Sequence, residues 1–311
     1  MGLSTLKTNL AMVLRGIGAL ILAGAIAPAF AQHYFVEDNH GVTGAWYDPA
    51  TPRQGIVLEV YEGASGVGLI VGSWLTFDAE GRGEQRWYTL AGITNSWGYG
   101  DALTIYQNTG GDFNAPPSTS AVPVGTAEID FYDNNDCTTG YMAYRFDDGS
   151  SGAMSLVRLT PNVTCAETKE GPIELPNADF GYSGNWFDPA MAGQGFVFEV
   201  NPIGREAFFA WSTYAIDGQS LGASGQRWYT GEGVYVPGSR TIPVILYETT
   251  GGRFDTPEPA AHTEAVGTAT ATFTSCNAAM LTFAFTGGSS AGASGTINLS
   301  RVGPAPVDCV H

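Results

Sequence analysis

Most of this chain is written twice. "GAWYDPATPRQGIVLEV" (44–60) lines up with "GNWFDPAMAGQGFVFEV" (184–200), and "QRWYT" occurs unchanged at Gln85–Thr89 and Gln226–Thr230. "YQNTGGDF" against "YETTGGRF", "VGTAEIDF" against "VGTATATF" and "SLVRL" against "NLSRV" continue the match, with offsets drifting only from 137 to 144. A unit of about 125 residues repeated in tandem folds as two copies of one architecture. The chain is read as repeat 1 (41–165), a polar linker with two prolines (166–180) and repeat 2 (181–311).

Inside each copy, apolar residues alternate at period two between turns rich in Gly, Pro and Asp, and no stretch carries a helical period. In repeat 1 this predicts eight strands, near 43–47, 55–62, 67–77, 85–93, 101–108, 124–132, 138–146 and 152–159. The 42 Gly, 16 Phe, 14 Tyr and 7 Trp, with only 14% charged residues, suit twisted strands joined by tight turns. Eight sequential strands make an antiparallel meander, and closing it into a barrel removes its edges. The expected fold is all-β: two tandem eight-stranded antiparallel up-and-down barrels. One sixteen-stranded membrane pore is the alternative that the strand count allows. The paired cysteines, the polar linker and the lack of a terminal aromatic argue against it.

Residues 1–31 read as a signal peptide: Lys7 and Arg15, an apolar Gly/Ala-rich run, then Ala29-Phe30-Ala31 as cleavage site. An N-terminal segment, 32–40, then leads into repeat 1. No later stretch approaches the ~18 apolar residues of a membrane helix. The expected location is periplasmic or secreted. The net charge is −17 and grows more negative when Lys7 and Arg15 are removed. Phosphate backbones attract basic surfaces, so nucleic acid is excluded as a partner. Four cysteines in an exported chain read as disulfides. Each repeat has one Cys after its sixth apolar run and one past its last. Repeats that fold separately should pair internally, as Cys137–Cys165 and Cys276–Cys309, each bond stabilising by roughly 3–4 kcal/mol.

Gly44-Ala45-Trp46 opens the first strand of repeat 1 and Arg158 sits on its last; Gly184-Asn185-Trp186 and Arg301 repeat the pattern. This resembles the calycins: lipocalins, the avidin group and small bacterial metalloprotease inhibitors. The resemblance implies that Trp46 packs beneath Arg158, and Trp186 beneath Arg301, to close each barrel floor. The biotin-binding residues of the avidins do not map onto this chain. The repeats also resemble a family of secreted proteobacterial proteins with W-[WYF]-[ND]-P…G-x-G…W-x-T-[YF] repeats, which implies an architecture and no activity.

Candidate chemistry is sparse. His33, His40, His262 and His311 have no counterparts between repeats, and no Cys/His cluster is present. No G-x-S-x-G opens a helix. "DNND" (133–136) lacks calcium-loop spacing and has no match in repeat 2. No metal or cofactor is expected. Glu59 and Glu199 recur in mid-strand 2, opposite in face to Ile56, Leu58 and Val60 in repeat 1. They are expected either outside or paired with Arg86 and Arg227. Asp48 and Asp188 precede prolines and read as turn residues.

The aromatics form the most suggestive group: Trp74, Trp87, Trp211 and Trp228 with Tyr88, Tyr229, Tyr106 and Tyr247. Alternation puts Trp87 on one face and Arg86 and Tyr88 on the other, and the same for Trp228 against Arg227 and Tyr229. The tryptophans either fill the barrels or stack on a flat or sugar-like ligand anchored by Arg and Tyr. The leading expectation is a non-enzymatic binding protein for a small molecule, glycan or protein surface. The candidate binding set is Arg86, Trp87, Tyr88, Trp74, Arg227, Trp228, Tyr229, Trp211, Glu59 and Glu199. The alternatives are an envelope or matrix structural protein, a secreted protease inhibitor using 32–40, and a carboxylate-dependent hydrolase.

Overall fold

The computed structural model describes residues 41–62, 68–94, 101–113, 119–131, 138–160, 178–191, 193–216, 222–306 and 309. The signal segment, the N-terminal segment, most of the linker, "DNND", His33, His40, His311, Cys137 and Cys165 lie outside them.

Repeat 1 is a closed barrel in simple strand order. Its strands are β1 (Gly44–Tyr47), β2 (Gly55–Glu62), β3 (Gly68–Phe77), β4 (Gln85–Thr94), β5 (Asp101–Thr109), β6 (Ser120–Asp130), β7 (Thr139–Phe146) and β8 (Ser151–Arg158). Repeat 2 closes the same way through β9 (Gly184–Phe187), β10 (Gly195–Asn201), β11 (Glu206–Tyr214), β12 (Gln226–Val234), β13 (Thr241–Thr250), β14 (His262–Ser275), β15 (Ala278–Phe285) and β16 (Ser294–Arg301). β6 begins four residues before its expected start, because 120–123 pair with 106–109 of β5. Asp48 accepts the Ala50 and Ser155 N–H groups and Asp188 that of Ala190, so both work as turn residues.

The closing strands meet at the tryptophans. Trp46 is opposite Arg158, and Trp186 is opposite Arg301. The guanidiniums lie 5.2 and 4.6 Å from the indole centroids. Each arginine also donates to carbonyls at the barrel floor: Arg158 to Gly41 and Thr43, Arg301 to Cys276, Ser183 and Gly181. A cation over an aromatic face keeps donors free for such bonds.

Strands β7 and β15 alternate buried and exposed, as a barrel wall facing water on one side should. Strands β2, β10 and β11, and β3 from Trp74 onward, do not. On β2, Ile56, Leu58 and Val60 face the barrel interior, yet Val57 and Glu59 on the other face are equally buried. The second barrel covers them. Ala45, Val57, Leu75, Phe77, Trp87, Val197, Phe208, Ala210, Tyr214, Trp228 and Ala261 form one apolar core between the barrels. Repeats read as separately folding units therefore share a core, since each sheet is apolar on both faces over these strands.

The Cys276–Cys309 disulfide forms, spanning 33 residues from the β14–β15 turn to the C-terminal tail. Cys276→Ser should lower unfolding free energy by roughly 3–4 kcal/mol in the chain-entropy account. Urea unfolding of the variant measures this; a loss under about 1 kcal/mol contradicts it.

Candidate ligand cleft at the mouth of the first barrel

The repeated Gln-Arg-Trp-Tyr-Thr strand is mainly an interface device. Gln85 donates to the Trp228 and Thr249 carbonyls at 2.7 and 3.0 Å, and its Oε1 accepts the Trp228 N–H. Gln226 returns the pattern to the Trp87 and Asn108 carbonyls and the Trp87 N–H. The Trp87 indole donates to the Thr213 carbonyl at 2.9 Å, and the Trp228 indole to the Thr76 carbonyl at 3.0 Å. Trp87 and Trp228 thus do not fill the barrels. They are buried between the repeats because each lies on the outward face of its strand.

The carboxylates are exchanged too. Glu59 accepts from Arg301 at 3.0 Å and from the Asn185 backbone and side-chain N–H groups. Glu199 accepts from Arg158 at 2.6 Å, from the Ala45 N–H and from the Thr160 hydroxyl. The expected pairing with Arg86 and Arg227 does not occur, because those arginines point to the opposite face. Burial pushes the Glu59 carboxyl upward, opposed by the Arg301 charge and the Asn185 donors. Each carboxylate is locked to a floor arginine of the other barrel, out of reach of any substrate.

The barrel mouths are exchanged as well. Phe113, in the β5–β6 loop of repeat 1, enters the core of barrel 2 against Trp211, Phe283 and Phe285. Phe254, in the β13–β14 loop of repeat 2, enters barrel 1 against Trp74, Tyr144 and Phe146. The Gly pairs ahead of these phenylalanines let the loops pass close to the other barrel. A Cβ on Gly111 would overlap the Tyr214 ring, and one on Gly252 the Phe77 ring. Trp74 and Trp211, 1% and 0% exposed, are the walls these plugs press on.

One open polar site remains among the candidate residues. A cleft of about 570 Å³ at the mouth of barrel 1 is lined by Arg86, Tyr88, Gln107, Phe146 and the Asp147–Asp148 turn, with Ala223 and Ser224 contributed by repeat 2. Its size is within the ~300–1,000 Å³ typical of small-molecule sites. The β3–β4 turn holds one wall. Asp78 accepts the Arg82 and Glu84 N–H groups at 2.8 Å. Against the upward push of burial, these donors and the Arg86 guanidinium hold its carboxyl below the usual range. Arg86 pairs with Glu84 at 2.6 Å and donates to the Gln85 carbonyl; its hydrogen bond is the main reason the Glu84 carboxyl is also lowered. Burial raises the Tyr88 phenol, so it stays a neutral hydroxyl.

The equivalent position in barrel 2 is occupied by the chain itself. Tyr229, opposite Glu248 as Tyr88 is opposite Gln107, is 0% exposed. Its hydroxyl meets Ser290 Oγ at 2.7 Å and Ser289 Oγ at 3.1 Å. Glu248 accepts the Ser289 N–H at 2.8 Å and the Ser289 hydroxyl. Arg227 folds onto the Gln226 and Ser224 carbonyls at 2.7 and 2.9 Å.

Sequence reasoning passed over Gln85, Gln226, Phe113 and Phe254. The signal was present in the kept Gln of "QRWYT" and in a Phe kept after Gly-Gly in a loop. Gln107 stood out only as a difference between the aligned repeats, Gln107 against Glu248, at a place where a pocket would feel it, and Phe146 left no comparable mark. Among the described residues no group of three or more His, Cys, Asp or Glu could hold a metal, and no helix is long and apolar enough to cross a membrane.

No known protein family matches the sequence, nor does any curated protein. One solved structure, "Crystal structure of MucB in complex with MucA(peri)", aligns at 7% identity over 86% of this chain and 89% of that one, with a TM-score of 0.16. A likeness that low carries no argument.

Proposed function

We propose that this is an exported, non-enzymatic binding protein: two barrels form one scaffold, and the ligand site is the cleft at Arg86 and Tyr88. One observation carries the reading. Trp74, Trp87, Trp211, Trp228 and Tyr229 are at most 3% exposed in protein contacts, while the half-buried Tyr88, beside an Arg86 that is itself 6% exposed, lines an open cleft with an aromatic wall and polar rim. A few convergent polar groups beside aromatic rings are the usual makings of a binding site. The carboxylates that a hydrolase would draw on, Glu59 and Glu199, are spent on buried ion pairs. Export is supported by the basic and apolar N-terminal run and by a disulfide that persists in oxidising compartments.

Native mass spectrometry of the chain purified from an exporting host tests this. The expected result is a non-covalent adduct absent from the denatured spectrum and diminished at least ~10-fold in Arg86→Ala or Tyr88→Ala, about 1.4 kcal/mol or more. Bare protein in the native spectrum, or an adduct unchanged in both variants, overturns the assignment.

A further inference from the structure

The two repeats differ most tellingly at one hairpin. In repeat 1 the β7–β8 connection is four residues, 147–150; in repeat 2 the β15–β16 connection is eight, 286–293. Both are anchored alike. The Asp147 N–H bonds the Val124 carbonyl and the Thr286 N–H bonds the Val266 carbonyl; the Phe146 N–H bonds Ser150, and the Phe285 N–H bonds Ala293. The extra residues of repeat 2 have a definite place to go. They fold down over the mouth of barrel 2, bringing Ser289 and Ser290 onto Tyr229 and Glu248. Ser290 is 1% exposed. Gly288 sits at φ +69°, where a Cβ would strike Glu248 and Val266, so the hairpin is shaped to reach this spot.

Barrel 2 thus displays its own occupied cleft. The occupant is two neighbouring hydroxyls and one N–H, received by a tyrosine hydroxyl and the side chain beside it. Barrel 1 keeps the receiving half: Tyr88 for Tyr229, Gln107 for Glu248, Phe146 for Phe285. It lacks the serine hairpin, and Tyr88 and Gln107 are part-exposed in the cleft. We infer that the barrel 1 cleft takes a ligand with adjacent hydroxyl groups, a sugar or other polyol, whose hydroxyls bond Tyr88 and Gln107 where Ser289 and Ser290 bond Tyr229 and Glu248. This rests on the cleft being the binding site.

The exchange of Glu248 for Gln107 fits an uncharged ligand. A carboxylate only accepts, which suits the serine hydroxyl and N–H donors of the hairpin. A carboxamide both donates and accepts, which suits hydroxyls that also do both. Phe146 and Tyr88, with ring centroids 5.3 Å apart, offer an apolar surface for the C–H face of a sugar ring. A site built to bond hydroxyls rejects analogues that lack them, since its polar groups would be left unpaired.

The test is saturation-transfer NMR on the full chain with methyl glucoside, maltose and myo-inositol as probes, and benzoate and indole as hydroxyl-poor controls. The expected result is saturation of the polyols and not of the controls. Tyr88→Phe with Gln107→Ala should weaken polyol binding at least tenfold. Replacing 147–150 with the eight-residue sequence of 286–293 should abolish it, by filling the cleft as repeat 2 does. The reverse graft, with Glu248→Gln, should raise the stoichiometry from one site to two. Near-UV circular dichroism checks that the grafts fold, and Tyr88→Phe removes one hydroxyl without altering packing. If the controls bind and the 286–293 graft displaces them while polyols do not bind, the cleft stands as the site and the hydroxyl inference falls. Polyol binding unchanged by Tyr88→Phe with Gln107→Ala also overturns it. If no probe binds and the native spectrum shows no adduct, the cleft assignment falls as well.

Discussion

Glu59→Ala should destabilise the protein by about 3–5 kcal/mol, the cost of leaving one member of a buried ion pair without its partner. The Arg301 side chain is 0% exposed and the Glu59 side chain 4%. Removing the carboxylate takes the anion from Arg301 and the acceptor from both Asn185 N–H groups. Arg301 keeps its place over Trp186 and its carbonyl acceptors, so the barrel floor persists while the buried charge is unbalanced. Glu199→Ala should act alike through Arg158. Replacing both Glu59 and Arg301 with methionine should recover only part of the loss: the apolar pair removes the desolvation cost of both charges but leaves the Cys276, Ser183 and Gly181 carbonyls and the Asn185 donors without these partners. Urea unfolding of Glu59→Met, Arg301→Met and the double forms a mutant cycle. A single-variant loss under about 1 kcal/mol would place this pair with exposed surface bridges and sink the argument.

Phe113→Ala should cost about 3–5 kcal/mol as a large-to-small change in a core, and the damage should appear in the other repeat. Phe113 belongs to repeat 1, is 2% exposed, and packs 5.2 Å from Trp211 and 5.7 Å from Phe283 of barrel 2. Hydrogen exchange should therefore show lost protection in β11 and β15 before β5 and β6, the strands flanking the mutated loop. Protection lost first in β5 and β6 would mean that the loop serves its own barrel, and the exchange of plugs would be refuted. Phe254→Ala is the mirror experiment on barrel 1, through Trp74 and Tyr144. Its effect should be smaller, since Phe254 is only partly buried.

These two variants probe what could not be seen in one copy of the repeat. The strands were legible because barrel walls alternate at period two: β2 runs 55–62 as expected, and β4 ends one residue late. Faces were legible too, since Trp87 and Tyr88 do point apart. What each face meets was not. A strand's period says which residues share a side, not whether water or another barrel covers it. A hint lay in the runs "GLIVGSWLTF" and "EAFFAWSTY", apolar on both faces where β7 and β15 alternate cleanly. Strands buried on both sides read that way.

The candidate cleft was half legible. Arg86 and Tyr88 stood out as a repeated charge beside a repeated ring. Gln107 was marked by its difference from Glu248 in the aligned repeats; Phe146 and Ser224 join them only through barrel closure and the approach of repeat 2, contacts that no local pattern encodes. The difference in hairpin length, "DDGS" against "TGGSSAGA", was visible in the alignment. Its meaning was not, because a longer loop can extend into water as readily as fold inward.

The sequence by itself determined the duplication, the strand alternation and the turns, all set by local periodicity or by residues that recur in kind, while the arginine–tryptophan closure was implied by the resemblance to the calycins. Tertiary structure alone decided that the barrels trade glutamines, carboxylates and phenylalanine plugs, and that a serine hairpin covers the Tyr229 position while the Tyr88 position lines an open cleft. The physical reason is range. Backbone sterics and side-chain alternation act over a few residues, whereas desolvation and ion pairing act wherever two surfaces meet, here between Glu59 and Arg301, 242 residues apart.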